Sequence, residues 1–333
     1  MITKWKRWAF YILLVMVIAI ITTSCAGKSR LAELLRSDPQ AEADHATVMS
    51  PAAGTATGSS KAEAGAQQVK QEADQTKLPV YTKEQLKAYP EDIRDILSRG
   101  KLRVALYHED RYPFFYVDAK GVLRGSDIEL AQDIALKLGV EAEFIRTAPS
   151  FDAVINQVST GEADIGVSKL STTLERAKRV LFSDAYLNLK QALLINRLQL
   201  AAIDHEGDVH DPLALIQGRG DRIGIVAGTS YAGFAHDLFP RQTQVGYGTS
   251  TQLFDAVKQG DVLAVVYDAF EISRYLKKYP AVSLELQFMQ LDEQDDDIAV
   301  AVNPRRYHLQ QWINTYLHME KKEIRKLLER NDI

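Results

Sequence analysis

Short apolar runs alternate with stretches of helical periodicity from Lys101 to the end of the chain. Short apolar runs indicate buried strands, whereas apolar residues spaced three and four apart indicate helices that cover one face of a sheet. The predicted strands are Leu102–Tyr107, Glu141–Ile145, Asp164–Val167, Gln191–Asn196, Arg222–Val226, Val262–Tyr267 and Ile298–Val302. The predicted helices are one that follows Ser126 or Asp127 and ends at Leu138, Phe151–Val158, a segment after Ser230, Thr251–Lys258, Asp268–Lys277 and Leu309–Leu328. This order predicts an α/β fold.

The strand–helix unit occurs twice in succession, which predicts two similar lobes, each a mixed sheet flanked by helices. The closing helix is expected to pack back on the first lobe, so that lobe should be discontinuous. We expect residues 78–196 plus 288–333 to form the first lobe and residues 197–287 to form the second. Small polar residues predict two helix starts, with Ser126 or Asp127 as the N-cap of one helix and Thr229 or Ser230 as the N-cap of the other.

The amino terminus has the order of an export signal. Lys4, Lys6 and Arg7 precede an apolar run, which small residues separate from Cys25. We interpret residues 1–25 as a lipoprotein signal peptide, with Cys25 as the acylated residue. The alternative is a retained membrane helix, although the run is shorter than the roughly 20 residues that a comfortable span needs.

Residues 26–77 are rich in Ala, Ser, Gln, Glu, Lys and Gly and have few large apolar residues. Such a segment cannot bury enough apolar surface to offset the entropy of ordering it, so it is expected to be a disordered, low-complexity tether. Together with an acylated Cys25 it predicts a folded domain held at the extracytoplasmic or periplasmic face of a membrane in the cell envelope.

The composition excludes several other classes of function. The formal net charge is −4, and no basic stripe alternates with aromatic residues, which argues against nucleic acid as a partner. Cys25 is the one cysteine, so no intramolecular disulfide can form. His205, Asp208 and His210 lie close together in a polar stretch that predicts a solvated loop, and the acidic run Asp292–Asp297 lacks the Gly and Glu spacing of a calcium site. We expect neither a metal nor a cofactor.

Several segments between Lys101 and Val302 together resemble a known family. They are, in order, Leu102-Arg-Val-Ala, Tyr112-Pro-Phe-Phe, Gly125-Ser-Asp-Ile-Glu-Leu-Ala, Gly161-Glu-Ala-Asp-Ile-Gly-Val-Ser, Glu175-Arg176 and Phe182-Ser-Asp-Ala-Tyr. The chain resembles the bacterial extracellular solute-binding proteins of family 3, which bind amino acids for ABC importers. The resemblance implies a two-lobed, type II periplasmic-binding-protein clamshell.

An amino-acid ligand needs a fixed cation for its carboxylate and an anion for its ammonium. By the resemblance, Arg176 grips the α-carboxylate, a task that suits a guanidinium because it can donate two parallel bonds. Asp268, at the end of a predicted strand, resembles the carboxylate that accepts the α-ammonium, and such strand ends face the cleft of open α/β sheets. The other implied ligand-binding residues are Tyr107, Phe151, Ser168, Ser171, Thr229 and Ser230.

Lys169 departs from the family pattern, which often has a small polar residue there. An ammonium in the cleft would favour a ligand with an extra carboxylate, or it would pair with a neighbouring acid outside the pocket. The sequence leaves both readings open.

These features favour a monomeric binding protein, without catalytic residues, for an amino acid or a related carboxylate. One alternative is an enzyme on the same fold that resembles cyclohexadienyl dehydratases, with Glu271 or Asp268 as the general acid. Another is a lipoprotein that senses the same ligand for a signalling partner.

Overall fold

The computed structural model describes residues 78–204 and 211–333. The predicted signal peptide with Cys25, the predicted tether, and His205, Asp208 and His210 lie outside the described residues. Across the described ranges, no helix combines the length and the apolar character that a membrane crossing requires.

The structure alternates strands and helices in the predicted order. The strands are β1 (Lys101–Tyr107), β2 (Tyr116–Val117), β3 (Leu123–Arg124), β4 (Glu141–Ala148), β5 (Ile165–Gly166), β6 (Leu181–Asn196), β7 (Arg222–Val226), β8 (Thr243–Tyr247), β9 (Ala264–Asp268) and β10 (Leu286–Val302). The helices before β6 are α1 (Lys83–Leu86), α2 (Glu91–Arg99), α3 (Ser126–Leu138), α4 (Phe151–Thr160) and α5 (Leu174–Ala177). The later helices are α6 (Arg197–Ile203), α7 (Pro212–Gln217), α8 (Tyr231–Leu238), α9 (Ser250–Gln259), α10 (Ala269–Lys278), α11 (Tyr307–Met319) and α12 (Lys321–Arg330).

The main sheet has the strand order β4-β1-β5-β10-β6-β9-β7-β8. We call β4, β1 and β5 the first half of the sheet, and β9, β7 and β8 the second half. Each half is a parallel trio, and each is bordered by a long antiparallel strand, β10 beside β5 and β6 beside β9. The two long strands pair with each other, so they join two similar α/β units, as the repeated sequence pattern predicts.

Separate apolar cores lie in the two halves. The core of the second half contains Ile223, Val265 and Leu291, whereas that of the first half contains Leu102 and Ile298. Within β10, therefore, Leu291 packs in one core and Ile298 in the other. Helix α11 contributes Leu309, Ile313, Tyr316 and Leu317 to the first core. The carboxyl-terminal helices thus return to the first half, while the residue boundaries of the two lobes stay a prediction.

The predicted N-cap of α3 is wrong, whereas Ser230 does occupy the N-cap position of α8 but makes no side-chain capping bond. Gly125 precedes α3, and both Ser126 and Asp127 are buried in its first turn. At α8, the Thr229 hydroxyl donates to the carbonyl of Val226 at 2.7 Å, and the Ser230 hydroxyl donates away from the helix. The side chains of Asp127, Thr229 and Ser230 therefore bond to neighbouring segments instead of closing the helix ends.

The predicted closing helix is two helices, α11 and α12, with a break at Glu320. The Glu320 carboxylate accepts a 2.6 Å bond from Lys137 of α3. Strands β6 and β10 each begin well before their predicted starts, at Leu181 and Leu286. The residues by which these strands are longer than predicted include exposed polar side chains. They lie where the strands cross between the two halves.

Candidate functional site

A small cavity of about 20 Å³ lies where the parallel strands of both halves end. Carboxyl ends of such strands form the ligand crevice of open α/β sheets. Seven of the nine predicted binding residues line the cavity: Phe151, Lys169, Ser171, Arg176, Thr229, Ser230 and Asp268. Tyr231, Tyr267 and Asp296, which the sequence did not predict as binding residues, also line it. The structure therefore brings together residues from sequence segments that are more than a hundred positions apart.

Ser168 and Tyr107 lie outside this cavity and support its wall. The Ser168 hydroxyl accepts a 3.0 Å bond from the backbone N–H of Tyr107, and Ser168 is fully buried. Tyr107 stacks on Phe151, with ring centroids 4.8 Å apart. The guanidinium of Arg111 lies 4.6 Å above the Tyr107 ring, where a cation–π attraction is expected. These contacts fix the aromatic side of the cavity.

Arg176 enters the cavity from the first turn of α5, and its side chain is buried. Its Nε and Nη2 atoms donate to Oδ1 of Asp152 at 3.1 and 2.9 Å, and its Nη1 donates to the carbonyl of Ser171 at 3.1 Å. A guanidinium has five N–H donors, and these bonds engage three of them. Arg176 is thus held rigidly while two N–H donors remain for another group.

Lys169 forms a buried ion pair with Asp268 inside the cavity. Its Nζ lies 2.8 Å from Oδ2 of Asp268 and 4.0 Å from Oε1 of Glu271. Burial alone would lower the pKa of Lys169, but the two carboxylates outweigh burial and raise it. The sequence leaves two roles open for this ammonium, and the structure shows a third arrangement, a pair with an acid that itself lines the pocket.

Asp268 has both oxygens engaged. Its Oδ2 accepts from Lys169, and its Oδ1 accepts a 2.8 Å bond from the backbone N–H of Glu271, which caps helix α10. Burial raises the pKa of Glu271, the other acid considered for catalysis. Oε2 of Glu271 lies 3.5 Å from the guanidinium of Arg274.

The two halves touch across the cavity. The Ser230 hydroxyl donates to the Ser171 hydroxyl at 2.8 Å, and the Tyr231 hydroxyl donates to Oδ2 of Asp296 at 2.7 Å. Burial raises the pKa of Asp296, although the hydroxyls of Tyr231 and Ser171 oppose the change. Within residues 78–204 and 211–333, no group of three or more metal-ligating side chains could hold a metal ion.

Residues 102–330 match the bacterial extracellular solute-binding proteins, family 3. The chain belongs to this family. The match confirms the predicted family, and the similar solved structures described below confirm the predicted type II clamshell fold.

Three similar proteins have the same architecture or sequence pattern. The ABC transporter arginine-binding protein 1 of Escherichia coli K12 is 25% identical over 207 residues, which cover 62% of this chain and 79% of that protein. A substrate-binding protein of an amino acid ABC transporter from Streptococcus pneumoniae, solved with L-arginine, is 31% identical, with a TM-score of 0.58, over 71% of this chain and 96% of that one. An ancestral amino acid-binding protein, a precursor of cyclohexadienyl dehydratase, is 27% identical with a TM-score of 0.57, over 72% and 97% of the two chains. These relatives are binding proteins, which confirms the prediction of a binding protein and not an enzyme.

Proposed function

We propose that this chain is a lipid-anchored, extracytoplasmic binding protein that captures an amino acid for an ABC importer. The observation that carries the proposal is one cavity lined by a rigid guanidinium, by hydroxyls from both halves of the sheet and by the carboxylates of Asp268 and Asp296. A zwitterion needs both charge types within a few ångströms. The relatives that bind amino acids for ABC transporters support the same ligand class.

In this proposal Arg176 holds the carboxylate end of the ligand. Its two remaining N–H donors can hold a carboxylate through charge-assisted bonds. Opposite it, Thr229 and Ser230 lead into α8, and amides at the start of a helix have no partner within the helix. A carboxylate held from both sides bridges the two halves, so the ligand stabilises the closed arrangement through its differential affinity for it.

A thermal-shift screen of the purified protein tests the ligand class. The screen covers the common amino acids and the dicarboxylates, with L-arginine first because arginine is bound by the relatives. A ligand that binds only the native state stabilises it and so raises the melting temperature. At a ligand concentration of 100 Kd the added free energy of stability is about 2.7 kcal/mol. We expect one amino acid or a small group to raise Tm. The proposal would be contradicted if no amino acid changed the Tm. It would also be contradicted if the protein converted prephenate or arogenate into product.

The lipid anchor rests on the order of basic, apolar and small residues before Cys25. Cys25→Ser should release or mislocalise the protein, because each buried acyl CH₂ contributes about 0.8 kcal/mol to membrane affinity. Fractionation of cells that carry the parent and the variant measures this, with Ser24→Ala as the matched control. A variant that stays in the membrane fraction as tightly as the parent would indicate a retained helix instead.

A further inference from the structure

The carboxylate that the family resemblance assigns to the ligand's ammonium is already occupied in this chain. Both oxygens of Asp268 have donors, Lys169 Nζ on one and the Glu271 amide on the other. Asp268 is fully buried, and the side chain of Lys169 is 8% exposed. A ligand ammonium at Asp268 would lie beside the like charge of Lys169, and displacing Lys169 would leave a buried charge unpaired, which is strongly unfavourable.

Other carboxylates around the cavity are also engaged. Asp152 accepts two of the three hydrogen bonds that Arg176 donates. Asp127, behind the loop of Lys169, accepts from the hydroxyl of Tyr186 and from the amide of Lys169. Each therefore has a structural partner in the unliganded protein.

Asp296 differs from these acids. It is 1% exposed and lines the cavity, and its Oδ2 is fixed by the 2.7 Å bond from Tyr231. Its Oδ1 is buried and forms no hydrogen bond among the described residues, although the Ser171 hydroxyl lies close enough to oppose the rise in the pKa of this carboxyl. A buried carboxylate oxygen without a donor costs free energy, and such groups in native proteins require an explanation.

The position of Asp296 in β10 explains why its side chain is buried although its neighbours are exposed. Asp296 pairs in register with Leu189 of β6, on the two long strands that join the halves. Its neighbours Asp295 and Asp297 are exposed, so the strand turns Asp296 alone of the three into the protein. The carboxylate therefore lies on the joining strands, which are common to both halves.

We propose that Asp296 Oδ1 accepts the α-ammonium of the ligand, while Lys169 keeps Asp268 neutralised. This inference rests on the proposed function and names a specificity-determining residue for it. Arg176 then holds the carboxylate, and the ammonium completes the bonding of Asp296. The raised pKa of Asp296 agrees with a poorly stabilised carboxylate, which an ammonium would stabilise.

Titration calorimetry on the full-length protein in mild detergent tests the assignment. The probes are L-arginine and 5-guanidinopentanoic acid, which lacks only the α-ammonium. Asp296→Asn should weaken L-arginine binding at least tenfold and leave binding of the des-amino acid within twofold of the parent. Asp295→Asn, on the neighbouring exposed residue, is the matched control and should change neither affinity.

A second substitution connects Asp296 with Lys169. In the double variant Asp296→Asn/Lys169→Ser, Asp268 loses its internal cation and can accept the ammonium. L-arginine affinity should then recover relative to Asp296→Asn alone. Unchanged L-arginine affinity in Asp296→Asn, or an equal loss for both probes, would overturn the assignment.

Unliganded stability provides a readout that does not depend on the ligand. Asp296→Asn replaces a buried anion that has an unpaired oxygen, so it should raise Tm of the unliganded protein by a few degrees. A structural role for Asp296 predicts a lower Tm, which would also overturn the assignment. If the parent binds none of the amino acids in the screen, the proposed function itself fails, whereas a parent that binds L-arginine, with an equal loss for both probes in Asp296→Asn, overturns only the assignment of Asp296.

Discussion

Ser230 donates a 2.8 Å hydrogen bond to Ser171, from the loop after β7 to the loop after β5. Both residues are buried, and both line the candidate site. The bond joins the two halves directly beside the cavity. The closed arrangement therefore has a polar contact of its own, in addition to any contact that a ligand adds.

Ser230→Ala should weaken ligand binding about fivefold, because a hydrogen bond of this kind contributes about 1 kcal/mol. We expect faster ligand dissociation with little change in association, since the contact holds the closed state. Stopped-flow or surface plasmon resonance measurements separate the two rates. Ser98→Ala, which removes an exposed hydroxyl bonded within α2, is the control. Equal dissociation rates for the parent and Ser230→Ala would contradict this role.

Asp127 should make stability depend on pH. Burial raises the pKa of its carboxyl from 3.8 to about 7, against the bonds from Tyr186 and Lys169. Because the folded-state pKa is raised, Asp127 binds its proton more tightly in the folded protein than in the unfolded chain. The stabilisation from this proton is complete below about pH 4 and is lost as the pH rises towards 7. Asp127→Asn is always neutral and avoids this loss.

The free energy of unfolding of Asp127→Asn, relative to the parent, should therefore increase by roughly 2–4 kcal/mol between pH 4 and pH 7. Urea unfolding at several pH values measures it. Asp95→Asn, at an exposed position of α2, should run parallel to the parent. Parallel curves for Asp127→Asn would show that Asp127 is charged in the folded protein throughout this range.

The strands with continuous apolar runs were predictable from the sequence. Arg222–Val226 is observed with its predicted limits, because all but its first residue are buried. The early part of β6 was missed, since exposed residues such as Asp184 and Asn188 interrupt its apolar pattern. The edge strand β8 was missed for a similar reason, as none of its residues is fully buried.

The cavity was predictable where the family resemblance named its residues, as for Arg176. Asp296 was missed because the run Asp292–Asp297 reads as a uniformly acidic loop. The alternation of side chains between the two faces of a strand could have identified Asp296 as the buried residue. That alternation can be used only once β10 is known to extend through this run. The pairing of Lys169 with Asp268 depends on tertiary approach across 99 positions, which no local pattern encodes.

Gly125 is expected to be indispensable for the start of α3. Its φ is 120°, and a Cβ there would lie 2.3 Å from the carbonyl oxygen of Phe114. Gly125→Ala should lower the free energy of unfolding by more than about 2 kcal/mol, since neither the backbone conformation nor the space suits a side chain. Gly233→Ala, in α8 with open space around it, should be neutral or stabilising. Similar unfolding midpoints for the two variants would contradict this account.

The most direct test of the central claim is the affinity of Arg176→Ala for the amino acid that the screen identifies, measured by titration calorimetry. Losing charge-assisted bonds of roughly 1.5–3 kcal/mol each predicts binding at least tenfold weaker than in the parent. Arg179→Ala is the matched control, because Arg179 is an exposed arginine close to α5 that bonds Asn156. Parent-like affinity in the control and a loss of at least tenfold in Arg176→Ala, with both variants folded by circular dichroism, is the predicted result. Parent-like affinity in Arg176→Ala would contradict the assignment of this cavity as the amino-acid site.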